Sequence, residues 1–125
     1  MSEHKSYLDE MHYVRIPVTD LEGSADWYAN VLRLTLRRQT EERAVFAVGE
    51  GPLLVIVKAD ADSRGHFLIE GRPEFSVGFT CSDIYHFREY LIEQGGQVEP
   101  MQEEEEGHCY FYFYDPSGNK LQAHW

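Results

Sequence analysis

The side chains best suited to chemistry lie at the end of the chain, where polar and apolar residues alternate. Alternation is typical of a β-strand, which shows successive side chains to opposite faces. One face carries phenols, an ammonium group, an amide and an imidazole, from Tyr110, Tyr112, Tyr114, Lys120, Gln122 and His124. A face of this composition is typical of the wall of a small-molecule cavity. The alternative is that the tyrosines fill the space themselves, with their hydroxyls reaching water at its rim.

These residues favour a binding function, because they do not include a complete set of catalytic side chains. His124 is the single candidate general base on the polar face, and no carboxylate can be assigned to orient it. Cys81 and Cys109 both fall on the apolar side of their strands, so neither is expected to act as a nucleophile in a cavity.

A tight turn with the residues Asp115-Pro-Ser-Gly118 joins two strands and positions the polar face. Alternating or β-branched segments predict the other strands, at Met11–Val18, Thr35–Gln39, Ala44–Val48, Pro52–Lys58, Glu74–Cys81 and near Val98. Capping-box spacing from Thr19 to Glu22 and apolar residues at helical intervals predict a first helix up to about Leu32. A second helix is predicted at Asp83–Gln94, and a long polar connection at Ala59–Arg72.

The second half of the chain repeats the first with an offset of 63 residues. That offset places the segment 18–21 on 81–84, Asp26 on Glu89, and Trp27 on Tyr90. The repeat predicts an α+β fold made of two beta-alpha-beta-beta-beta modules. The 125 residues then form a single domain, with module one at about 11–58, a linker at about 59–73 and module two at about 74–125.

The segments Met11–Leu32 and Tyr114–Gln122 resemble the vicinal oxygen chelate superfamily. This group includes glyoxalase I, fosfomycin-resistance transferases, extradiol dioxygenases and bleomycin-resistance proteins. The resemblance implies curled mixed sheets around a cup-shaped cavity, with the helices on the convex side. It specifies the fold more closely than the activity, because this fold serves many reactions.

The resemblance also indicates four inward positions where metal-dependent members carry His, Gln or Glu. Here they are Tyr13, Ser76, Val55 and Gln122. A valine cannot bind a metal ion, and a phenol, a hydroxyl and an amide are poor neutral ligands for zinc or iron. We therefore expect no metal ion and no other cofactor. His12 could replace Tyr13 only if the strand slipped by one residue, which would turn Val14 and Ile16 into the cavity.

The same register extends the expected cavity lining to both modules. The lining comprises Tyr13, Arg15, Val55, Ser76, Gly78, Tyr110, Tyr112, Lys120, Gln122 and His124. The resemblance to fosfomycin-resistance enzymes marks Tyr112 as a wall position. The acidic run Glu103–Glu106 is either a solvated loop or an anionic mouth that attracts a cationic ligand, whereas Arg15 and Lys120 suit an anion or a carbonyl group.

The composition excludes several other classes of function. The formal net charge of -11 argues against a nucleic-acid partner. No apolar run is long enough to cross a membrane, and residues 1–10 lack the apolar stretch of a secretion signal. With only two cysteines, both in apolar segments, we expect reduced thiols and a cytoplasmic protein.

The sequence thus predicts a metal-free small-molecule-binding protein of the sequestering or resistance type. The alternative is a metal-dependent lyase or thiol transferase of the glyoxalase I or fosfomycin-resistance kind with non-standard ligands. We also expect a homodimer, because Trp27, Tyr28 and Trp125 are large aromatic residues that an interface would cover.

Overall fold

The first half of the chain forms a four-stranded mixed sheet. The computed structural model describes residues 6–125; His4 and the start of the N-terminal segment lie outside them. The strands are β1 (Tyr13–Val18), β2 (Thr35–Gln39), β3 (Arg43–Ala47) and β4 (Leu53–Lys58). Their order across the sheet is β1-β4-β3-β2, with β1 parallel to β4 and the other neighbours antiparallel.

The helix of the first half connects β1 to β2. Helix α1 (Leu21–Asp26) continues as a wider π-helical turn at Trp27–Val31. Its N-terminal cap is Asp20, whose carboxylate accepts a hydrogen bond from the Gly23 N–H at 3.2 Å. The predicted cap, Thr19, instead donates its backbone N–H to the Ser117 hydroxyl at 3.0 Å.

The second half repeats this topology, as the 63-residue offset predicts. Its elements are β7 (Val77–Thr80), α2 (Ile84–Glu93), β8 (Gln97–Val98), β9 (Gln102–Glu103), β10 (Cys109–Tyr114) and β11 (Lys120–His124). The strand order is β7-β11-β10-β8, with β9 also paired to β10. Strands β7 and β11 are parallel, like β1 and β4. The predicted α+β fold with mixed sheets is therefore confirmed.

The connection between the halves is more ordered than the polar loop predicted there. It contains a β-hairpin of β5 (Phe67–Ile69) and β6 (Arg72–Glu74). The two turn residues, Glu70 and Gly71, both have positive φ, which matches the twist of a tight hairpin. All three apolar side chains of β5 are exposed.

Both helices pack on the same side of their sheets, where alternate strand residues form one shared core. The largest fully buried side chains include Phe46 and Ile56 of the first sheet and Phe111 and Phe113 of the second. No helix of residues 6–125 packs on the opposite face of either sheet, and we refer to that side as the open face.

A buried polar junction joins the two halves at the predicted turn. The Asp115 side chain accepts hydrogen bonds from the Tyr28 hydroxyl at 2.7 Å and from the Ser117 and Asn119 N–H groups. Asn119 also donates to Asp115 and to the Pro17 carbonyl of β1. The turn glycine, Gly118, has φ +85°, a conformation that a residue with a Cβ rarely adopts.

Candidate functional site

The register of β1 is as predicted, and it directs Tyr13 and Arg15 to the open face. Val14, Ile16 and Val18 point to the core, whereas the Tyr13 side chain is 53% exposed. The slipped register that would bring His12 inward is therefore not adopted.

The two sheets place corresponding residues at corresponding positions. Arg15 lies opposite Val55 across the parallel pair β1–β4. Gly78, 63 residues after Arg15, lies opposite Gln122 across β7–β11. Val55 is the partner of Arg15, and Gln122 is the partner of Gly78, the residue equivalent to Arg15 in the second module. Val55 and Gln122 therefore occupy equivalent positions in the two sheets.

The open face of the first sheet forms a hollow of about 350 Å³. We call it the first-sheet hollow; its lining is Tyr13, Arg15, Arg38, Arg43, Val45, Leu53 and Val55. Three of these were expected from the sequence. The others come from β2, β3 and the start of β4. For the two residues of β3, Arg43 and Val45, strand alternation could have predicted the open face, because Ala44 and Phe46 point to the core.

The open face of the second sheet is the aromatic and polar surface predicted from the end of the chain. We call it the second-sheet wall; it consists of Tyr110, Tyr112, Tyr114, Lys120, Gln122 and His124, all half-buried. The Tyr112 ring lies 5.7 Å from the Tyr110 ring and 5.6 Å from Phe75, which precedes β7. Burial, followed by the charges of nearby groups, raises the pKa of Tyr112 above its ordinary value.

Lys120 is already engaged within the wall. Its ammonium group lies 4.3 Å from the centre of the Tyr112 ring and donates to the Pro73 carbonyl at 3.0 Å. It also lies 3.8 Å from the Glu99 carboxylate, which accepts a hydrogen bond from the Tyr114 hydroxyl. Burial and this carboxylate raise the pKa of Tyr114 to about 12. Lys120 therefore tethers the β5–β6 hairpin to the wall and has a nearby countercharge.

His124 lies at the other end of the wall, and no carboxylate of the described residues orients it. Within residues 6–125 its side chain makes no hydrogen bond; the nearest aromatic partner is the His108 ring, 5.7 Å away between ring centres. His108 is itself bound to Glu104, with 2.7 Å between Nδ1 and Oε1. This arrangement lacks the base–orienter pair typical of a general base.

Ser76 and Gly78 lie in a third place, a groove of about 540 Å³ beside β7. The edge groove, as we call it, also contacts Val14, Leu54 and the loop between β3 and β4. A Cβ on Gly78 would lie 3.1 Å from the Gln122 amide oxygen and 3.5 Å from the Phe75 ring. Gly78 thus leaves room for the Gln122 amide and the Phe75 ring. The edge groove contains two of the ten predicted lining residues and the first-sheet hollow contains three others.

Among the other histidines, His66 forms a hydrogen bond that links two segments of the chain. The His66 ring accepts a hydrogen bond from the Lys120 backbone N–H at 2.9 Å, and partial burial lowers its pKa. His86 is an exposed neighbour of Asp83. Across the described part of the chain, no three side chains of His, Cys, Asp or Glu are grouped as metal ligands.

The fold and these surfaces define a class: proteins with two beta-alpha-beta-beta-beta modules, helices on one side of the sheets and open faces on the other. The chain belongs to the Glyoxalase/Bleomycin resistance protein/Dioxygenase superfamily, whose family model matches residues 10–123. The resemblance to the vicinal oxygen chelate superfamily is therefore confirmed.

Individual relatives are distant. The chain is 27% identical over 118 residues to glutathione transferase FosA of Serratia marcescens, covering 94% of this chain and 81% of that protein. Its fold is similar to that of a glyoxalase family protein from Enterococcus faecalis, with a TM-score of 0.76, 20% identity and coverage of 96% and 100%. Lactoylglutathione lyase from Agrobacterium tumefaciens gives a TM-score of 0.70 at 16% identity, with 95% of each chain covered.

The four positions that would hold a metal ion in metal-dependent members do not fit one here. They present a phenol from Tyr13, a hydrocarbon from Val55, a hydroxyl from Ser76 and an amide from Gln122. This set brings no imidazole, thiolate or carboxylate, the groups from which zinc and iron sites are built. Val55 is only 6% exposed and packs as part of the apolar floor of the first-sheet hollow.

Proposed function

We propose that this protein binds a small organic molecule without a metal ion, as a sequestering or resistance-type member of its superfamily. The observation that carries the proposal is the donor set at the four equivalent positions, which offers hydrogen bonds and apolar contact but no anionic or imidazole ligand. Binding through such groups needs no bond to be broken, so it requires neither a nucleophile nor an oriented base.

The two open faces support this proposal. The second-sheet wall combines aromatic rings with hydrogen-bonding groups, and the first-sheet hollow combines an apolar floor with polar side chains at its rim. A few polar groups around apolar and aromatic surface is the usual composition of a small-molecule site.

One observation favours a second candidate, an enzyme of the lyase or thiol-transferase kind. The relative from Serratia marcescens is named a glutathione transferase, and it matches most of this chain. Such an activity would need unusual ligands such as Tyr13, Gln122 and His124, or groups from a second chain. The proposed binder requires none of these.

Metal analysis and chelation separate the two candidates. The binder should purify with far less than one transition-metal ion per chain, and its melting temperature should not change with a chelator, because no bound ion contributes stability. A metal-dependent enzyme would contain stoichiometric metal and would melt at a lower temperature after chelation. Stoichiometric metal in the purified protein would refute the proposal.

Rebuilding the ligands tests the same positions in the opposite direction. The triple variant Tyr13→His, Ser76→His and Gln122→Glu supplies two imidazoles and one carboxylate, a donor set of the catalytic type. These three positions lie on separate surfaces of one chain, so the site would form where a second copy brings the open faces together. The dimeric variant should then gain affinity for zinc or manganese, and metal at ten times its dissociation constant should stabilise it by roughly 1.4 kcal/mol. The matched control is the single variant Gln122→Glu, which has too few ligands and should show no such gain.

A library of neutral, anionic and cationic compounds then tests binding directly. Thermal shift and native mass spectrometry should identify compounds that form a one-to-one complex per chain. Aromatic compounds should be frequent among them, because the wall offers rings for stacking. If no class of compound binds, neither open face serves a small-molecule ligand and the proposal fails.

The proposal also includes a homodimer in the cytoplasm. Phe67, Leu68, Ile69 and Trp125 are exposed apolar surface that a second copy would cover. The prediction of Tyr28 as an interface residue was wrong, since it is fully buried within its own chain.

Cys81 and Cys109 are free thiols, which agrees with the proposed location in a reducing compartment, the cytoplasm. None of the helices within residues 6–125 has the length and apolar character needed to span a bilayer.

A further inference from the structure

Two arginines face each other across the full width of the first sheet. The register of the strands places Arg15, Val55, Val45 and Arg38 in one row, on β1, β4, β3 and β2 respectively. With adjacent strands about 4.8 Å apart, the two arginine Cα atoms are separated by roughly 14 Å. This span suits two long side chains that reach over the two valines from opposite sides.

Two further polar residues complete the rim of the first-sheet hollow. Arg43 precedes Val45 by two residues on β3, and Tyr13 precedes Arg15 by two on β1, so both share the open face. The floor between them is apolar, with Val55 buried and Val45 and Leu53 half-buried. The hollow therefore has a cationic rim and a hydrocarbon base.

A β-bulge brings Arg38 into this row. The pairing of β2 with β3 shifts between Leu36 and Arg38, so that Arg38 rather than Arg37 lies opposite Val45. Without the extra residue, Arg37 would occupy that position. Bulges of this kind redirect a side chain, and Arg37 does not line the hollow.

Within residues 6–125, no carboxylate belongs to this rim. The chain has 22 acidic and 11 basic residues, yet no Asp or Glu of the described residues lines the first-sheet hollow. Among the ion pairs and hydrogen bonds within residues 6–125, none involves the guanidinium groups of Arg15, Arg38 or Arg43. Three like charges collected in this way repel one another, and an anion bound between them would relieve that repulsion.

We infer that the first-sheet hollow binds an organic molecule carrying a doubly charged oxyanion, either a phosphate monoester or a dicarboxylate. Planar guanidinium groups bind carboxylate and phosphate oxygens through paired hydrogen bonds, which a single ammonium group cannot match. The Tyr13 hydroxyl supplies a further donor, and the valine floor accommodates an apolar body of the ligand. This inference rests on the proposed binding function and names the class of its ligand.

Isothermal titration calorimetry with phenyl phosphate and with adipate tests the inference and distinguishes the two anion sources. At least one of the two should bind with one molecule per chain, and its affinity should fall as salt is raised, because the contacts are charged and open to solvent. Benzyl alcohol and phenyltrimethylammonium serve as the neutral and cationic comparisons, and both should bind more weakly.

Single substitutions then assign the binding to this rim. Arg15→Gln, Arg38→Gln and Arg43→Gln should each weaken binding of the anion by at least about fivefold, since each removes a charged hydrogen-bond donor. The matched control is Arg37→Gln, which makes the same change in net charge one residue away and should alter affinity less than about twofold. All four side chains are exposed, so the variants should keep the wild-type melting temperature within about 2 °C.

Two results would overturn the inference. One is that neither anion binds at millimolar concentration, and the other is that Arg37→Gln weakens binding as much as Arg38→Gln does. If neutral or cationic compounds from the library still bind, the proposed binding function stands and only the ligand class is wrong. Failure of the binding function itself would appear separately, as stoichiometric metal or as a library without any ligand.

Discussion

Replacing Tyr28 by phenylalanine removes one hydroxyl from a ring that is fully buried between the two halves of the chain. The hydroxyl donates to Asp115 at 2.7 Å, and both oxygens of that side chain accept hydrogen bonds. Accepting at every contact is the pattern of an ionised carboxylate. The variant leaves this carboxylate one donor short at a residue that is only 5% exposed, so water has little access to replace the donor.

The expected cost follows from the charge and burial of the acceptor. A hydrogen bond to a charged group contributes about 1.5–3 kcal/mol to stability. For a domain of 125 residues, each kcal/mol lowers the melting temperature by about 4 °C, so Tyr28→Phe should melt about 6–12 °C below the wild type. Little packing is lost, because the ring itself remains.

Tyr114→Phe is the matched control, since it also removes a phenol that donates to a carboxylate. Its acceptor, Glu99, is 39% exposed in the side chain, so water can replace the lost donor. We expect a cost below about 1 kcal/mol. Denaturant unfolding followed by circular dichroism measures both variants on one scale.

A double-mutant cycle with Asp115→Asn isolates the pair. Tyr28→Phe and Asp115→Asn should show a coupling energy of about 1–2 kcal/mol, as expected for groups in direct contact within one network. Additive effects of the two substitutions, or equal costs for Tyr28→Phe and Tyr114→Phe, would refute the role given to this junction.

Two further predictions concern alkaline stability and a close backbone contact. Burial, followed by the charge of Asp115, raises the pKa of Tyr28 well above its ordinary value of 10.0. The stability from this shift is complete below pH 10 and is lost as the pH rises from there towards the folded-state pKa, so between pH 9.5 and 11 the melting temperature of the wild type should fall more steeply than that of Tyr28→Phe. Gly65→Ala should cost about 1–3 kcal/mol, since its Cβ would lie 2.8 Å from Cγ2 of Ile16. The control Gly51→Ala, whose nearest new contact is the Val48 carbonyl at 3.9 Å, should be nearly neutral in the same denaturant assay.

Local patterns in the sequence were sufficient for most of the secondary structure and for the faces of the strands. The strand at Thr35–Gln39 has the predicted bounds, and the second helix is one residue shorter at each end than predicted. Alternation in β10 and β11 correctly separated Phe111 and Leu121 from Tyr112 and Gln122. These features follow from side-chain periodicity, which neighbouring residues determine among themselves.

The β5–β6 hairpin was missed because its strands are short and exposed. Phe67, Leu68 and Ile69 give a continuous apolar run instead of an alternating one, within a polar segment. Glu70-Gly71 was a turn signal, but it lies between segments too short for periodicity to identify.

The sequence by itself determined the family, the repeat of the modules and the lack of His, Cys, Asp and Glu at the four positions Tyr13, Val55, Ser76 and Gln122, because each depends on residue identity and spacing along the chain. Only the tertiary structure divided the predicted lining among a hollow, a wall and a groove. The tertiary structure also brings the Lys120 ammonium group to the Pro73 carbonyl of β6 and to the Glu99 carboxylate. It groups Arg15 with Arg38 and Arg43 around a floor that includes Val45 and Val55. These results depend on which strands are neighbours and on one bulge in their pairing, and no local pattern encodes the approach of residues that are more than twenty positions apart.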